Sequence, residues 1–320
     1  MTVTILMATF NGAKYVAEQL DSILAQTHQD WALIIRDDLS TDQTPSIIQR
    51  YAEADSRIKV LSGKGKHGSA TLNFSVLFDY AHSLDTPYLM FADQDDVWKP
   101  NKIKNSLQFI QERERTAKPS DPILVYGALE YVDEAANIIP QKIRMPESLD
   151  FKMLLAENHA YGCTMIFNRA LLQQIGHIPD SAENHDYWVA LVATAMGKAV
   201  LNPEKLIFYR QHSSNASGGV ARNRISSRIH RYIKQVDFLL PVFVKNYKMI
   251  NTFYWGYKER LDENIKQLLA GYIKAYKTDM LSLMIFMVRH NFRKLGMMQT
   301  LAHYYTLVQL RRKVLTRAEQ

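Results

Sequence analysis

The first hundred residues alternate between two hydrophobic periods, and this alternation restricts the fold more than any other feature of the chain. Val3–Thr9, Trp31–Arg36, Ile58–Leu61 and Tyr88–Ala92 are short apolar runs of strand type. Helical patterns lie between them, over Val16, Leu20, Ile23 and Leu24, then Ile47, Ile48 and Tyr51, then Leu72, Val76, Leu77 and Tyr80. Such alternation implies parallel strands with helices on both faces. Ligands of these sheets sit beyond the carboxyl ends of the strands. Two of those ends carry clustered aspartates: Asp37-Asp38 after Arg36, and Asp93-Gln94-Asp95-Asp96 after Ala92.

Further along, Lys99–Thr116 reads as a long helix and Ile123–Leu129 as a strand. The weak pattern over Val132–Met153 reads as loop with short elements. Cys163–Phe167 is expected to be a strand opening into a helix over Arg169–Ile175. Asp186–Met196 is expected to be helical and Leu206–Tyr209 a strand. Gln211–Gly219 is polar and rich in Ser, Asn and Gly, which puts a boundary near residue 220. Residues 1–220 are thus expected to form an α/β domain, and 221–320 a basic, amphipathic helical region without strands.

Charge divides at the same place. Residues 1–221 hold 20 Lys and Arg against 26 Asp and Glu, whereas 222–320 hold 19 against 6. The net +7 therefore averages an acidic body and a basic tail. Arg222, Arg224, Arg228, Arg231 and Lys234 alternate with Ile225, Ile229, Tyr232 and Ile233. That pattern suits an anionic membrane surface, or equally a helical subdomain with a solvated basic face. The longest apolar runs, Phe238–Val244 and Met280–Val288, fall far short of the ~20 residues needed to span a bilayer. The single cysteine, Cys163, allows neither an internal disulfide nor a multi-Cys zinc site. The first residues lack the basic region and cleavage site of a secretory leader. A cytoplasmic protein is expected, either free or peripheral on the inner face of the membrane.

Four clusters can carry chemistry. Asp93, Asp95 and Asp96 place three carboxylates in four positions, where like charges repel unless a divalent cation such as Mg²⁺ or Mn²⁺ joins them. A solvated acidic turn is the alternative. In Asp37–Thr44, Ser40 or Asp42 can cap a helix. That leaves Asp37-Asp38 to accept hydrogen bonds from a base or ribose. His185-Asp186-Tyr187-Trp188 offers Asp186 as a helix cap or as a general base positioned by His185. Tyr209-Arg210-Gln211-His212 offers His212 as a structural histidine or a ligand. Gly63, Gly65 and Gly68 precede a helix with G-x-G-x-x-G spacing, but they follow the third strand instead of the first and two lysines interrupt them; with no Walker loop present, this argues against dinucleotide oxidoreductases and P-loop ATPases. No zinc-finger, RRM or KH signature accompanies the basic tail, so no nucleic-acid partner is expected. A sugar nucleotidyltransferase should carry a Gly-rich signature where this chain has Thr9-Phe10-Asn11-Gly12.

Taken in order, these segments resemble the family 2 glycosyltransferases over roughly residues 3–215. Ala8-Thr9-Phe10-Asn11-Gly12 is similar to the family's first-strand motif. Asp37-Asp38-Leu39-Ser40-Thr41-Asp42-Gln43-Thr44 resembles its nucleotide-binding Asp-Asp-x-Ser-x-Asp-x-Thr. Gly68 to Asn73 resembles the Gly…Asn segment, and Asp93-Gln94-Asp95-Asp96 the Asp-x-Asp metal motif. Asp93–Pro100, His185–Trp188 and Tyr209–His212 resemble the rhamnosyltransferase-like branch of bacterial surface-polysaccharide synthesis. The Gln-x-x-Arg-Trp motif and membrane helices of processive synthases are missing.

The resemblance implies a GT-A fold, with a mixed, mostly parallel central sheet and a C-terminal helical region. It implies inverting, metal-dependent transfer of one sugar from a nucleotide sugar, dTDP-L-rhamnose or alternatively a UDP-hexose. The acceptor would be a hydroxyl of a glycan or lipid-linked oligosaccharide. Asp186 would be the catalytic base. Thr9, Asn11, Asp37, Asp38, Asn73, Asp93 and Arg210 would bind the donor. Asp93, Asp95 and His212 would hold Mn²⁺ or Mg²⁺. Trp98, His185 and Trp188 would lie on the acceptor side.

Overall fold

The computed structural model describes residues 1–62, 68–140, 145–146, 148–212 and 236–319. Eight strands form one sheet: β1 (Val3–Thr9), β2 (Trp31–Asp37), β3 (Ile58–Val60), β4 (Tyr88–Ala92), β5 (Val97–Trp98), β6 (Ile123–Val132), β7 (Ile166–Asn168) and β8 (Lys198–Arg210). Their order is β3-β2-β1-β4-β7-β6-β8-β5. The β3-β2-β1-β4 half is parallel, β7 runs antiparallel to β4 and β6, and β8 returns parallel to β6. The sheet is therefore mixed and mostly parallel.

Every residue of β1 and β4 is buried, as expected for strands covered on both faces. Register aligns their ends: Thr9 lies opposite Asp37, and Met7 opposite Ala92. The chain thus leaves β1, β2 and β4 at neighbouring points, and both aspartate clusters emerge there. The helices joining these strands are α1 (Val16–Leu24), α2 (Thr44–Ala54) and α3 (Ala70–Ala81). They are followed by α4 (Lys102–Glu114), α5 (Phe151–Leu154), α6 (Arg169–Ile175) and α7 (His185–Met196).

Three local expectations change. The run Cys163–Phe167 is not one strand; Gly162–Thr164 forms a 3₁₀ turn and β7 begins at Ile166. Hydrogen bonds turn the chain there: the Gly162 N–H donates to Asp186, and the Thr164 hydroxyl donates to the Tyr161 carbonyl. The strand expected over Leu206–Tyr209 begins at Lys198, because β6 pairs with polar residues as readily as with apolar ones through the backbone. The two-residue β5, absent from the sequence pattern, pairs Val97 with Phe208 and Trp98 with Ile207. It ties the chain just after Asp96 to the end of β8.

By contacts, Met1–Ser148, Ala160–Asp180 and Asn184–Gln211 make one compact unit. A second unit takes Leu149–His159, Ser181–Glu183 and the chain from His212 onward. Among its described residues are the helices α8 (Leu240–Tyr257), α9 (Glu263–Thr278), α10 (Met280–Arg289) and α11 (Met297–Ala318). Within it Phe151 packs on Phe253 with ring centroids 5.7 Å apart, and Arg311 donates to the Tyr276 carbonyl at 2.7 Å. The boundary expected near residue 220 lies outside the described residues, as do Arg222, Arg224, Arg228, Arg231 and Lys234.

One buried side chain joins several elements of the first unit. The Asn168 carbonyl oxygen accepts from Leu171 N, capping α6, and from Ile123 N at the start of β6. Its amide donates to Glu114 at the end of α4 and to the Asp121 carbonyl. Asn168→Ala removes a cap and strands buried backbone groups, at a cost of about 2–4 kcal/mol. The urea midpoint should fall while the slope stays unchanged.

Candidate active site

The loops after β1 and β2 are stitched together. The Thr9 hydroxyl donates to Asp37 Oδ1 (2.8 Å), and the Ser40 N–H donates to Asp37 Oδ2 (2.7 Å). Asn11 sits at φ +47°, in the left-handed region that asparagine tolerates. Its N–H donates to Ser40 Oγ (2.8 Å), and its side-chain oxygen accepts Thr41 N (2.8 Å). Ser40 therefore bridges loops and does not cap α2. Asp42 accepts Thr44 N and Ala13 N, and these contacts help hold its carboxyl below the usual range against the opposing effect of burial.

Asp37 is half-buried, whereas Asp38 is 3% exposed. Asp38 pairs with Arg36 Nη1 (3.2 Å) and accepts Gly68 N (2.9 Å). The same Arg36 nitrogen donates to Asn73 (2.6 Å), whose amide donates to the Thr9 and Arg36 carbonyls. Both Asp38 and Asn73, expected at the donor, face inward and fasten the ends of β1 and β2.

The acidic loop after β4 is held from two sides. Gln94 exchanges two hydrogen bonds with the Phe10 backbone, accepting at 2.8 Å and donating at 3.0 Å. A Cβ on Gly12 would lie 2.3 Å from the Gln94 oxygen, so a larger residue there would displace the Gln94 amide from the Phe10 backbone. On the other side stands Arg210, 2% exposed. Its Nε donates to the Asp95 carbonyl (2.9 Å), Nη1 to the Glu134 carbonyl (2.7 Å) and Nη2 to Glu18 (2.5 Å). Its backbone N–H donates to Asp96 Oδ1 (3.1 Å). Arg210 was expected to meet donor phosphate; all three of its guanidinium nitrogens are instead engaged within the protein.

Asp93 and Asp95 are half-buried, and Asp96 is wholly buried. Burial, then the charges of Asp95 and Asp186, push the Asp93 carboxyl up to about 7. Burial and the same neighbourhood push Asp96 well above the carboxylate range. Ligand atoms of Asp93, Asp96 and Cys163 lie within 4.8 Å of one another. Neither Asp95 nor His212 joins that trio; His212 is half-buried and falls in the second unit. Burial and the two carboxylates push the Cys163 thiol far up, so it remains protonated. A protonated thiol suits hard cations poorly, whereas clustered carboxylate oxygens suit Mg²⁺ or Mn²⁺. One Asp96 oxygen is buried without an N–H or O–H donor, and the repulsion among these acids is what a cation would relieve. The residues present fit a divalent ion.

Asp186 stands in the first turn of α7 and accepts Gly162 N at 2.9 Å, without capping the helix. Its effect on Asp93 brings it to the same acidic cluster. His185, 8% exposed, stacks on Phe74 (3.8 Å) and meets the edge of Phe91 (4.8 Å). Burial pushes its imidazole down to about 3, so it is neutral. Trp98 and Trp188 are each 2% exposed. Trp98 lies under Lys102, whose ammonium is 4.6 Å from the ring and donates to the Cys163 carbonyl (2.9 Å). The three residues expected on the acceptor side, Trp98, His185 and Trp188, are all buried. Cys163, Lys102 and Glu18 have no sequence signal as site residues; their partners are distant in the chain.

In the metal-free protein, protonated Asp93 contributes stability that is full below its ordinary value of 3.8 and is lost as pH rises through about 7. Asp93→Asn should flatten that part of the stability-versus-pH curve, read by urea unfolding in the presence of a chelator. An unchanged slope would show that Asp93 does not titrate there.

Residues 4–176, more than half of the chain, match the family described as Glycosyl transferase family 2. The dTDP-rhamnosyl transferase RfbG of Shigella flexneri is 29% identical over 66% of this chain and 73% of its own length. The UDP-Glc:alpha-D-GlcNAc-diphosphoundecaprenol beta-1,3-glucosyltransferase WfgD of Escherichia coli is 27% identical over 80% and 94%. Among solved structures, S. aureus TarS 1–349 in complex with UDP-GlcNAc superposes with a TM-score of 0.60 at 15% identity, covering 100% of this chain and 92% of that one. The mannosyltransferase PcManGT from Pyrobaculum calidifontis, in complex with GDP-Man and Mn²⁺, gives 0.53 at 14%, covering 99% and 86%. Sheet order, site position and family match agree: the chain belongs to glycosyltransferase family 2 and is a glycosyltransferase of GT-A fold.

Proposed function

We propose that this glycosyltransferase moves one sugar, with inversion, from a nucleotide sugar to a hydroxyl of a glycan or lipid-linked oligosaccharide in bacterial surface-polysaccharide synthesis. The observation that carries this reading is the convergence of Asp93, Asp95 and Asp186 beyond the carboxyl ends of the parallel strands. Asn11 and the half-buried Asp37 would receive the nucleotide, with the buried Thr9 acting through the hydrogen bond by which its hydroxyl orients Asp37. Asp93 and Asp95 would hold a divalent cation. Such an ion, when bound, stabilises the negative charge of a departing nucleoside diphosphate without a protonated acid.

Asp186 is the proposed general base. Its carboxylate must come within ~3 Å of the acceptor hydroxyl in the complex. The Gly162 N–H fixes one oxygen, and the stacked His185 fixes the start of the helix that carries it. A neutral His185 does not compete for the proton. Arg210 and Gln94 act through the loop they hold, keeping the acids in register. We assign the enzyme to the cytoplasmic side of the membrane, where lipid-linked acceptors and nucleotide sugars meet. No helix among the described residues is long and apolar enough to cross a membrane.

The proposed donor is dTDP-L-rhamnose, supported by the motif strings and by the similarity to RfbG. A UDP-hexose is the second reading, supported by the similarity to WfgD. A panel of nucleotide sugars with Mn²⁺ or Mg²⁺, scored by slow donor hydrolysis, separates them. Response to dTDP-rhamnose alone is expected; response to UDP-glucose alone replaces the donor, and silence across the panel overturns both. Asp95→Asn should lose metal-dependent donor binding. Asp186→Asn should keep donor binding but lower transfer by about 10²–10⁴-fold. Near-normal turnover of that variant would remove Asp186 from the role of base.

A further inference from the structure

The second unit carries an apolar surface that its own fold leaves uncovered. Helix α10 is almost wholly apolar, yet only Leu283 and Met287 are buried. Met280, Leu281, Met284, Ile285 and Val288 are 39–64% exposed. Their i, i+1, i+4, i+5, i+8 spacing puts them on one side of the helix. The first turns of α11 continue the pattern, with Met297, Met298 and Leu301 at 78%, 56% and 56% exposure. The Tyr304 hydroxyl ties the two helices together, donating to the Met287 carbonyl at 3.2 Å and also to that of Phe292. Contiguous apolar surface of this kind marks an interaction site.

Charge decides what covers it. Lys274 and Lys277 are exposed at the end of α9, and Arg289 and Arg293 are exposed beyond the apolar row. From residue 274 to 301 the single acid is Asp279. Its carboxylate is taken up as the cap of α10, accepting Ser282 N at 2.8 Å and Ser282 Oγ at 2.7 Å. In the same unit, a groove of about 450 Å³ is lined by Trp255 of α8 and by Lys274 and Lys277 of α9, the helix that leads into α10. Apolar residues with a tryptophan and a rim of cations match a headgroup boundary. A twofold contact with a second copy would set these cations against one another.

We propose that the second unit docks on an anionic lipid bilayer through the exposed face of α10 and the start of α11. The helices lie on the surface, with the cations over lipid phosphate. This placement does not depend on the donor or on the glycosyl-transfer chemistry.

The test is sedimentation of the full chain with vesicles of phosphatidylcholine, alone or with roughly one third phosphatidylglycerol, at low salt. The wild type should bind the anionic vesicles about tenfold more tightly than the neutral ones, with the preference lost at high salt. Met284→Gln with Ile285→Gln should weaken binding to both by about tenfold or more. Arg289→Ser with Arg293→Ser should remove the preference for anionic lipid. These positions are exposed, so the variants should melt with the wild type. A reading free of variants is amide exchange of the wild type, which should slow over residues 280–301 when anionic vesicles are added. Equal binding to both vesicles, no binding, or slowing elsewhere overturns the proposal. So does a wild-type dimer that Ile285→Gln converts to monomer, which would give the face to a second copy.

Discussion

A buried guanidinium holds the acidic loop in place. Arg210 reaches from the end of β8 to the Asp95 carbonyl, the Glu134 carbonyl and the Glu18 carboxylate, while its own N–H holds Asp96. Three carboxylates in four positions would otherwise spread apart and take the loop with them. A charged donor satisfied on every nitrogen can be buried at tolerable cost, and it neutralises part of the field it sits in. The position of Asp93 and Asp95 beyond the sheet depends on that brace, and so does any ion they receive.

A second brace works from the opposite side. Gln94 bonds to the Phe10 backbone on both of its amide atoms, and Arg36, Asp38 and Asn73 lock β1 to β2 underneath. The loops that would receive nucleotide and metal are therefore fixed to one another before any ligand arrives. This is preorganisation: the ordering cost is met in folding and is not subtracted from binding. His185, Trp98, Lys102 and Cys163 are buried in the same region, where burial keeps the proton affinities of Asp93 and Asp96 raised.

Much of the fold was legible in the order of the hydrophobic patterns. The four parallel strands and the three helices that join them occur where the periods change, because a strand buried on both faces has to be continuously apolar. The turn at Gly162–Thr164 and the short β5 were not legible. The first depends on a carboxylate 24 residues away, and the second on pairing with a strand more than a hundred residues later. Site residues divide in the same way. Asp37, Asp93, Asp95 and Asp186 stand out as acids at strand ends or helix starts. Asp38, Asn73, Arg210, Trp98 and Trp188 share those motifs yet face inward, and motif membership alone does not separate the two groups.

The sequence by itself determined the family, the alternation of strands and helices from β1 to β4 and the strand ends at which acids gather, since these follow from ordered motifs, local period and runs of like charge. Tertiary structure decided which of those acids are half-buried and which are sealed in the interior. It made Asp96 a wholly buried group and Arg210 a strut, and it set Cys163 beside the acids. It also left one side of α10 bare. The physical reason is the same in each case: burial and hydrogen-bond partners come from segments far apart in the chain, and no local pattern encodes them.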